Sequence, residues 1–294
     1  MSAVGAPGGF RLMGVVNVTP DSFSDGGSFL DADAAIAHAR RLVDEGADIL
    51  DVGGESTRPG AQPVSGEEEL RRVLPVLEGI AAAELGAQVS IDTSKASVAR
   101  AAIDAGAQIV NDVSALRADA EMVDVIAHSG VECCLMHMLG EPRTMQQDPR
   151  YVDVVDDVRA FLEERLSFAV RAGVSEQRIM LDPGIGFGKT LEHNLELLKR
   201  LAELGTLGRP LVVGTSRKSF LGRIVAAAAG EQDAGTTAER RLPGTIATNV
   251  LAYERGASVF RVHDVAPLRA ALAVTAATLG ERWMARGAAT TQTS

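Results

Sequence analysis

Three aspartates and several cations stand at the ends of short apolar runs along this chain. Asp51, Asp92 and Asp182 each end such a run. Carboxylates that share one concave site are costly unless hydrogen-bond donors or cations pair with them. The candidate cations follow other runs: Arg58, Arg217, Lys218, Arg261 and His263. This set of side chains favours a polar, partly anionic ligand whose N–H groups would face the carboxylates.

The apolar runs predict eight β-strands, and each is followed by a polar loop and an Ala-rich stretch with helical spacing. The predicted strands are Leu12–Val18, Ile49–Gly53, Val89–Asp92, Ile109–Val113, Cys133–Met138, Ile179–Asp182, Leu211–Thr215 and Val259–Val262. Uninterrupted apolar strands are typical of a parallel sheet that is buried on both faces. Eight βα units in about 270 residues predict an α/β fold, a (β/α)8 TIM barrel, with the active site at the C-terminal ends of the strands.

A barrel of this kind brings the ends of its strands to one rim. Seven predicted strands end in or beside a polar residue: Asn17, Asp51, Asp92, Asn111, His137, Asp182 and Arg261. One such residue is more often a helix cap or loop anchor than a catalytic group. We assign four others to loop geometry on that basis: Asp21, Ser24, Asp25 and Asp112. Convergence of so many polar ends predicts a ligand site.

Length and composition agree with one globular domain. The chain has 294 residues, of which 46% are hydrophobic, and α/β barrels of about 250 residues form single domains. We expect one domain over residues 1–294, with an ordered core at about 11–284 and short flexible tails. The stretch Ala226–Thr237 is expected to be a surface excursion.

Charge and targeting signals exclude several partners. The net charge is −10 and no basic block is present, which disfavours nucleic acid and anionic membranes. We find neither a signal-peptide pattern at the N-terminus nor an apolar run of about 18 residues, so a cytoplasmic location is expected. Cys133 and Cys134 are adjacent, and neighbouring side chains on a strand point to opposite faces, which predicts no disulfide.

Two motif interpretations are rejected. The phrase DPGIGFGKT, from Asp182 to Thr190, superficially resembles a phosphate-binding P-loop, but that motif needs glycine where Pro183 stands. No cluster of Cys and His has metal-ligand spacing. Three histidines in helical stretches are expected to be structural: His38, His128 and His193. The roles of Lys189 and Arg217 stay open.

Seven phrases at the predicted strand ends make this chain similar to the bacterial dihydropteroate synthases, over about Leu12 to Trp283. They are NVTPDSFSDGG from Asn17, DVGGESTRPG from Asp51, SIDT from Ser90, Asn111-Asp112, DPGIGFGK from Asp182, Ser216-Arg217-Lys218 and Arg261-Val262-His263. The resemblance implies a Mg²⁺-dependent TIM barrel, usually a homodimer. It also implies the condensation of 6-hydroxymethyl-7,8-dihydropterin diphosphate with 4-aminobenzoate, which gives 7,8-dihydropteroate and diphosphate for folate synthesis.

The resemblance also implies which residues carry each part of the reaction. For the pterin they are Asp92, Asn111, Asp182 and Lys218. For the diphosphate they are Asn17, Thr57, Arg58, Arg261 and His263, and Asn17 is also the expected Mg²⁺ ligand. For 4-aminobenzoate they are Thr57, Pro59, Phe187, Lys218 and Ser219. The catalytic set is Asp92, Lys218, Arg261 and His263.

The family mechanism is a dissociative displacement at the pterin methylene with no protein nucleophile. The loop at Gly186–Thr190 has no insertion before the next predicted helix, which by resemblance predicts a sulfonamide-sensitive enzyme. Two alternatives stay open. One is a corrinoid-linked methyltetrahydrofolate methyltransferase barrel, which would leave Arg261 and His263 without a diphosphate to bind. The other is a non-catalytic pterin-binding paralogue, which should have lost motif residues.

Overall fold

Eight parallel strands close into a barrel in chain order in the computed structural model, which describes residues 9–19, 28–57, 60–231 and 237–281. The strands are β1 (Arg11–Asn17), β2 (Ile49–Gly53), β3 (Gln88–Asp92), β4 (Ile109–Asp112), β5 (Glu132–Met136), β6 (Ile179–Asp182), β7 (Leu211–Val213) and β8 (Ala257–Val262). The predicted (β/α)8 TIM barrel is thus confirmed.

Helices alternate with the strands and cover the outside of the barrel. They are α1 (Ser28–Asp44), α2 (Gly66–Ala82), α3 (Ala96–Asp104), α4 (Met122–Ser129), α5 (Val154–Arg171), α6 (Leu191–Lys199), α7 (Leu201–Leu204), α8 (Ser219–Ala228), α9 (Ala238–Glu254) and α10 (Val265–Thr278). No helix in the described ranges is both long enough and apolar enough to cross a membrane.

Some predicted boundaries were wrong. β7 ends two residues before Thr215, because its register against β8 shifts between Leu211 and Val212 and the chain then turns, with Lys218 N donating to Thr215 O. The predicted surface excursion begins too early, since Ala226 is a buried residue of α8. Residues 232–236 and both expected tails, at 1–8 and 282–294, lie outside the described residues.

One layer of apolar side chains fills the barrel and sets the floor of the site. Its members are Met13, Ile49, Ile109, Cys134, Met180, Val212 and Val259. Side chains of a strand return to the same face every second residue. Asp51, Asn111, Asp182 and Arg261 each lie two positions beyond one of these residues on the same strand, so they point inward just above the apolar layer.

The two cysteines illustrate the same alternation. Cys134 belongs to the apolar layer inside the barrel, whereas Cys133 packs in the larger cluster between the strands and the helices. Burial raises the pKa of both thiols above the ordinary value. Neither thiol is therefore a nucleophile.

Candidate active site

A cavity of about 890 Å³ opens at the C-terminal ends of the strands. Ten of the twelve predicted site residues line it: Asn17, Thr57, Asp92, Asn111, Asp182, Phe187, Lys218, Ser219, Arg261 and His263. The other two, Arg58 and Pro59, lie outside the described residues. The barrel thus gathers side chains that are up to about 245 residues apart in sequence at a single rim.

Arg261 lies between two carboxylates at the centre of the cavity floor. Its Nε donates to Asp51 Oδ2 at 2.6 Å, and its Nη2 donates to Asp92 Oδ2 at 2.8 Å. Asn111 Nδ2 donates to the same Asp51 oxygen at 3.1 Å. Burial raises the pKa of Asp92, and the Arg261 guanidinium opposes that rise. Asp51 is therefore an anchor for Arg261 and Asn111, a role that the sequence did not predict.

Asp182 and Lys218 enter the cavity from β6 and from the loop that leads into α8. Asp182 Oδ1 accepts a hydrogen bond from Gly184 N at 2.7 Å, and burial raises the pKa of this carboxyl to about 6. Burial lowers the pKa of Lys218 to about 8. The Lys218 ammonium lies 4.0 Å from the centre of the Phe187 ring. A buried carboxylate and a half-buried ammonium thus face the same space.

Gly184 allows the Asp182 loop to lie tightly against β5. Its φ is +65°, and an added Cβ would fall 1.8 Å from the carbonyl oxygen of His137. Only glycine tolerates both the left-handed backbone and this approach. The DPG phrase is therefore explained by backbone packing and not by phosphate binding.

His263, which follows β8, is oriented by two contacts with Ser216. Its backbone N–H donates to Ser216 Oγ at 3.1 Å, and Ser216 Oγ lies 3.0 Å from His263 Nδ1. These two contacts fix the orientation of the ring, and His263 lines the cavity beside Arg261.

Arg217 forms a pair with Asp264, and this pair joins the β7 loop to the end of β8. Its Nε and Nη2 donate to the two carboxylate oxygens at 3.0 and 2.7 Å. The residue has a φ of +57°, which a non-glycine side chain adopts rarely. Arg217 therefore braces the loop that carries Lys218.

Lys189 is buried beside the cavity. Its ammonium lies 2.9 Å from His137 Nδ1 and 3.0 Å from the Phe187 carbonyl oxygen, and burial lowers its pKa to about 7. The sequence placed His137 at a strand end but assigned it no partner. Apolar walls were also missed, because their residue types do not differ from those of the core: Val113, Met136, Met145 and Ile185.

Asp112 and three histidines were expected to have structural roles, and the structure shows each of them in a turn or a helix. Asp112 accepts hydrogen bonds from Ser114 N, Ser114 Oγ and Leu116 N. It thereby holds a turn. The three histidines lie in helices, and His193 completes the N-terminal capping box of α6 with Thr190. Asp21, Ser24 and Asp25 lie outside the described residues.

A family model described as pterin binding enzyme matches residues 13–263 of this chain. The dihydropteroate synthase of Escherichia coli (strain K12) is 45% identical over 272 residues, which cover 92% of this chain and 93% of the relative. The chain belongs to the dihydropteroate synthase family. It is therefore an enzyme, a transferase of folate biosynthesis, and this result disfavours both alternatives that the sequence left open.

Solved dihydropteroate synthases share the whole fold. A Xanthomonas albilineans dihydropteroate synthase with 4-aminobenzoic acid superimposes with a TM-score of 0.83 at 47% identity, covering 92% of this chain and 93% of its own. A Yersinia pestis dihydropteroate synthase in complex with a sulfonamide drug gives 0.84 at 41% identity, with coverage of 95% and 96%.

Proposed function

We propose that this cavity condenses 6-hydroxymethyl-7,8-dihydropterin diphosphate with 4-aminobenzoate, giving 7,8-dihydropteroate and diphosphate. The observation that carries the proposal is the placement of two charge types in one cavity. Asp182 and Lys218 provide a hydrogen-bonding pair for a planar heterocycle, and Arg261 and His263 provide donors for an anion. A related enzyme has been solved with 7,8-dihydropteroate.

The pterin edge pairs with three side chains. The Asp182 carboxylate accepts from ring N–H groups, and the Lys218 ammonium donates to a ring acceptor. Asn111 Nδ2 donates to Asp51, which fixes the amide plane and leaves its carbonyl oxygen available to accept from a pterin N–H. This fixed pattern of acceptors and a donor selects an amino-pyrimidinone ring.

Bond cleavage precedes attack in the proposed mechanism. The C–O bond between the pterin methylene and the diphosphate breaks, and the bonding electrons leave with the diphosphate. Positive charge develops on the pterin, and the Asp92 carboxylate stabilises it. Arg261 and His263, with Thr57 and Arg58, hold the leaving diphosphate. No protein nucleophile takes part.

The arylamine completes the reaction. Its neutral nitrogen forms a C–N bond to the methylene carbon and releases one proton, so correct placement matters more than a general base. Phe187 and the Lys218 stem form the walls of its site, Thr57 lines the same cavity, and Pro59 is a further contact implied by the family resemblance. Its carboxylate lies at Ser219, at the N-terminus of α8, where the first backbone N–H groups of a helix attract anions.

Asn17 is the proposed Mg²⁺ ligand. It ends β1 and lines the same cavity as Arg261 and His263. Mg²⁺ prefers oxygen ligands and often takes only one or two from protein, with substrate phosphates and water supplying the rest. A single amide oxygen therefore fits an ion that arrives with the diphosphate. When bound, Mg²⁺ neutralises charge on the departing group.

We propose likewise that the enzyme is a cytoplasmic homodimer. Exposed apolar side chains on the outer helices support a second copy there: Leu251 on α9 and Val274 on α10 are 41% and 68% exposed. The buried thiols of Cys133 and Cys134 suit a reducing compartment. Sedimentation equilibrium tests the dimer, and a monomer at micromolar concentration would overturn it.

Diphosphate release tests the reaction. The purified protein is mixed with the dihydropterin diphosphate, 4-aminobenzoate and Mg²⁺, and each component is left out in turn. We expect release that requires both organic substrates and that falls steeply without Mg²⁺. Release without 4-aminobenzoate at the full rate, or none in the complete mixture, would reject the proposed reaction.

A further inference from the structure

The loop between β6 and α6 is held by three side chains that donate hydrogen bonds to its backbone, and two of them, Gln146 and Lys189, also line the cavity. Its three consecutive carbonyl oxygens, at positions 186 to 188, each accept a hydrogen bond from a different side chain. The donors are Gln146 Nε2 to Gly186 at 2.8 Å, Lys189 Nζ to Phe187 at 3.0 Å and Tyr151 Oη to Gly188 at 2.7 Å. The middle carbonyl belongs to the aromatic residue of the cavity wall.

Lys189 is the buried member of this set. Only 2% of the residue is exposed, and a lysine is almost never fully buried unless it is paired. Its second contact is His137 Nδ1, at 2.9 Å. Burial and the Lys189 charge lower the pKa of His137 to about 2, so the ring is neutral and shares a hydrogen bond with the Lys189 amine.

His137 is itself fixed to the neighbouring strand. Its backbone N–H donates to the Asp182 carbonyl oxygen at 2.9 Å, and its ring packs edge-on against Phe161 with centroids 4.8 Å apart. Lys189 therefore connects the rigid end of β5 to the backbone of Phe187. Phe187 is also contacted at its side chain, because its ring lies against the Lys218 ammonium.

We infer that Lys189 is a positioning residue that sets the Phe187 ring through its carbonyl and so determines the affinity for the arylamine substrate and for sulfonamides, but not for the pterin. This inference rests on the proposed function of the cavity. Lys189 is not assigned to the reacting atoms, because its Nζ is held by His137 and by the Phe187 carbonyl oxygen. Its task is to keep the aromatic wall in the one orientation that packs against a benzene ring.

Lys189→Met tests the inference, and Lys199→Met is the matched control. Lys199 is a lysine on α6 whose side chain is 71% exposed. Loss of one buried hydrogen bond corresponds to about a tenfold change. We expect Lys189→Met to raise the KM for 4-aminobenzoate and the sulfonamide Kd about tenfold, while the Kd of the dihydropterin changes by less than about twofold. Lys199→Met should change neither.

Gln146→Leu provides a second variant that removes a loop hydrogen bond from the exposed side. We expect the same direction with a smaller effect, about threefold. Unchanged sulfonamide affinity in both variants, or an equal loss of pterin and sulfonamide affinity in Lys189→Met, would overturn the inference. Sulfonamide binding is measured by calorimetry without turnover. Failure of the proposed reaction would instead appear as absent diphosphate release in the parent enzyme.

Discussion

Arg261 donates from Nη2 to Asp92 Oδ2 at 2.8 Å across the floor of the cavity. Its Nε is held by Asp51 at the same time. Two carboxylates therefore share this cation. In the proposed reaction, positive charge on the pterin would draw on Asp92 and weaken its pairing with Arg261, which would free Nη2 to donate to the leaving diphosphate. The ion pair would thus couple the two halves of one substrate.

Arg261→Met should remove both diphosphate binding and the counter-charge of two buried carboxylates. We expect kcat/KM for the dihydropterin diphosphate to fall about a thousandfold. The free energy of unfolding should fall by about 3 kcal/mol, because uncompensated buried charges are costly. Steady-state kinetics and urea unfolding measure the two effects. Arg100→Met, on the exposed face of α3, is the control. A variant that keeps wild-type turnover would contradict the assigned role.

Asp182→Asn should separate pterin recognition from folding. The amide keeps the shape of the carboxylate but loses its charge and one acceptor, so we expect the Kd of a 7,8-dihydropterin without diphosphate to rise about 100-fold. Isothermal titration calorimetry measures this affinity. Asp124→Asn, at an exposed position of α4, should bind normally. Equal affinities in the two variants would show that Asp182 does not bind the ring.

Pterin affinity should follow a bell-shaped pH profile. The pKa of Asp182 is raised to about 6, so the required carboxylate is lost as the pH falls through that value. The pKa of Lys218 is lowered to about 8, so the required ammonium is lost as the pH rises through it. Affinity is therefore greatest between these limits. Lys218→Arg keeps its charge at higher pH, and its weaker binding should show no decline above pH 8. A decline there would assign the basic limb to another group.

Sulfonamides should compete with 4-aminobenzoate. The loop that carries Phe187 enters α6 at Leu191 without an insertion, and the Lys218 ammonium lies over the Phe187 ring. Phe187→Ala removes this wall, so the sulfonamide Ki and the KM for 4-aminobenzoate should rise together by about tenfold. Pterin affinity in the same variant is the internal control. Noncompetitive inhibition of the parent enzyme would place the drug elsewhere.

Asp112→Ala should reduce stability although Asp112 is outside the proposed catalytic set. Its carboxylate organises a turn in which Ala115 and Leu116 have positive φ, 52° and 65°. Loss of three hydrogen bonds at a buried position should lower the free energy of unfolding by about 3 kcal/mol. Urea denaturation measures this loss, with Asp124→Ala as the exposed control. No change in the unfolding midpoint would show that the turn is stable without the Asp112 carboxylate.

The barrel was predictable because each strand is an apolar run with a polar end. The side chains above the apolar layer follow from the period of two along β2, β4, β6 and β8. Chain order then gives the closed barrel. The exact ends of β7 were not predictable, because the shifted register against β8 is set by packing between strands and not by residue type.

Side-chain partners were harder to predict than positions. Asp51 and Arg261 are 210 residues apart and meet only when β8 closes against β1. The residue type of an aspartate or an arginine does not identify its ion-pair partner. Lys189 was ambiguous for a similar reason, because a lysine beside a glycine-rich loop points to solvent in most proteins. Its burial depends on His137, which lies 52 residues earlier.

The strands β6 and β7 pair at a single position, Leu181 with Leu211, whereas every other neighbouring pair in the barrel has three or more. Asp182 stands on one side of this seam and the Lys218 loop on the other. A pterin held by both residues would bridge β6 and β7 where they share the fewest paired positions. Substrate binding would then also stabilise the barrel against opening along this seam.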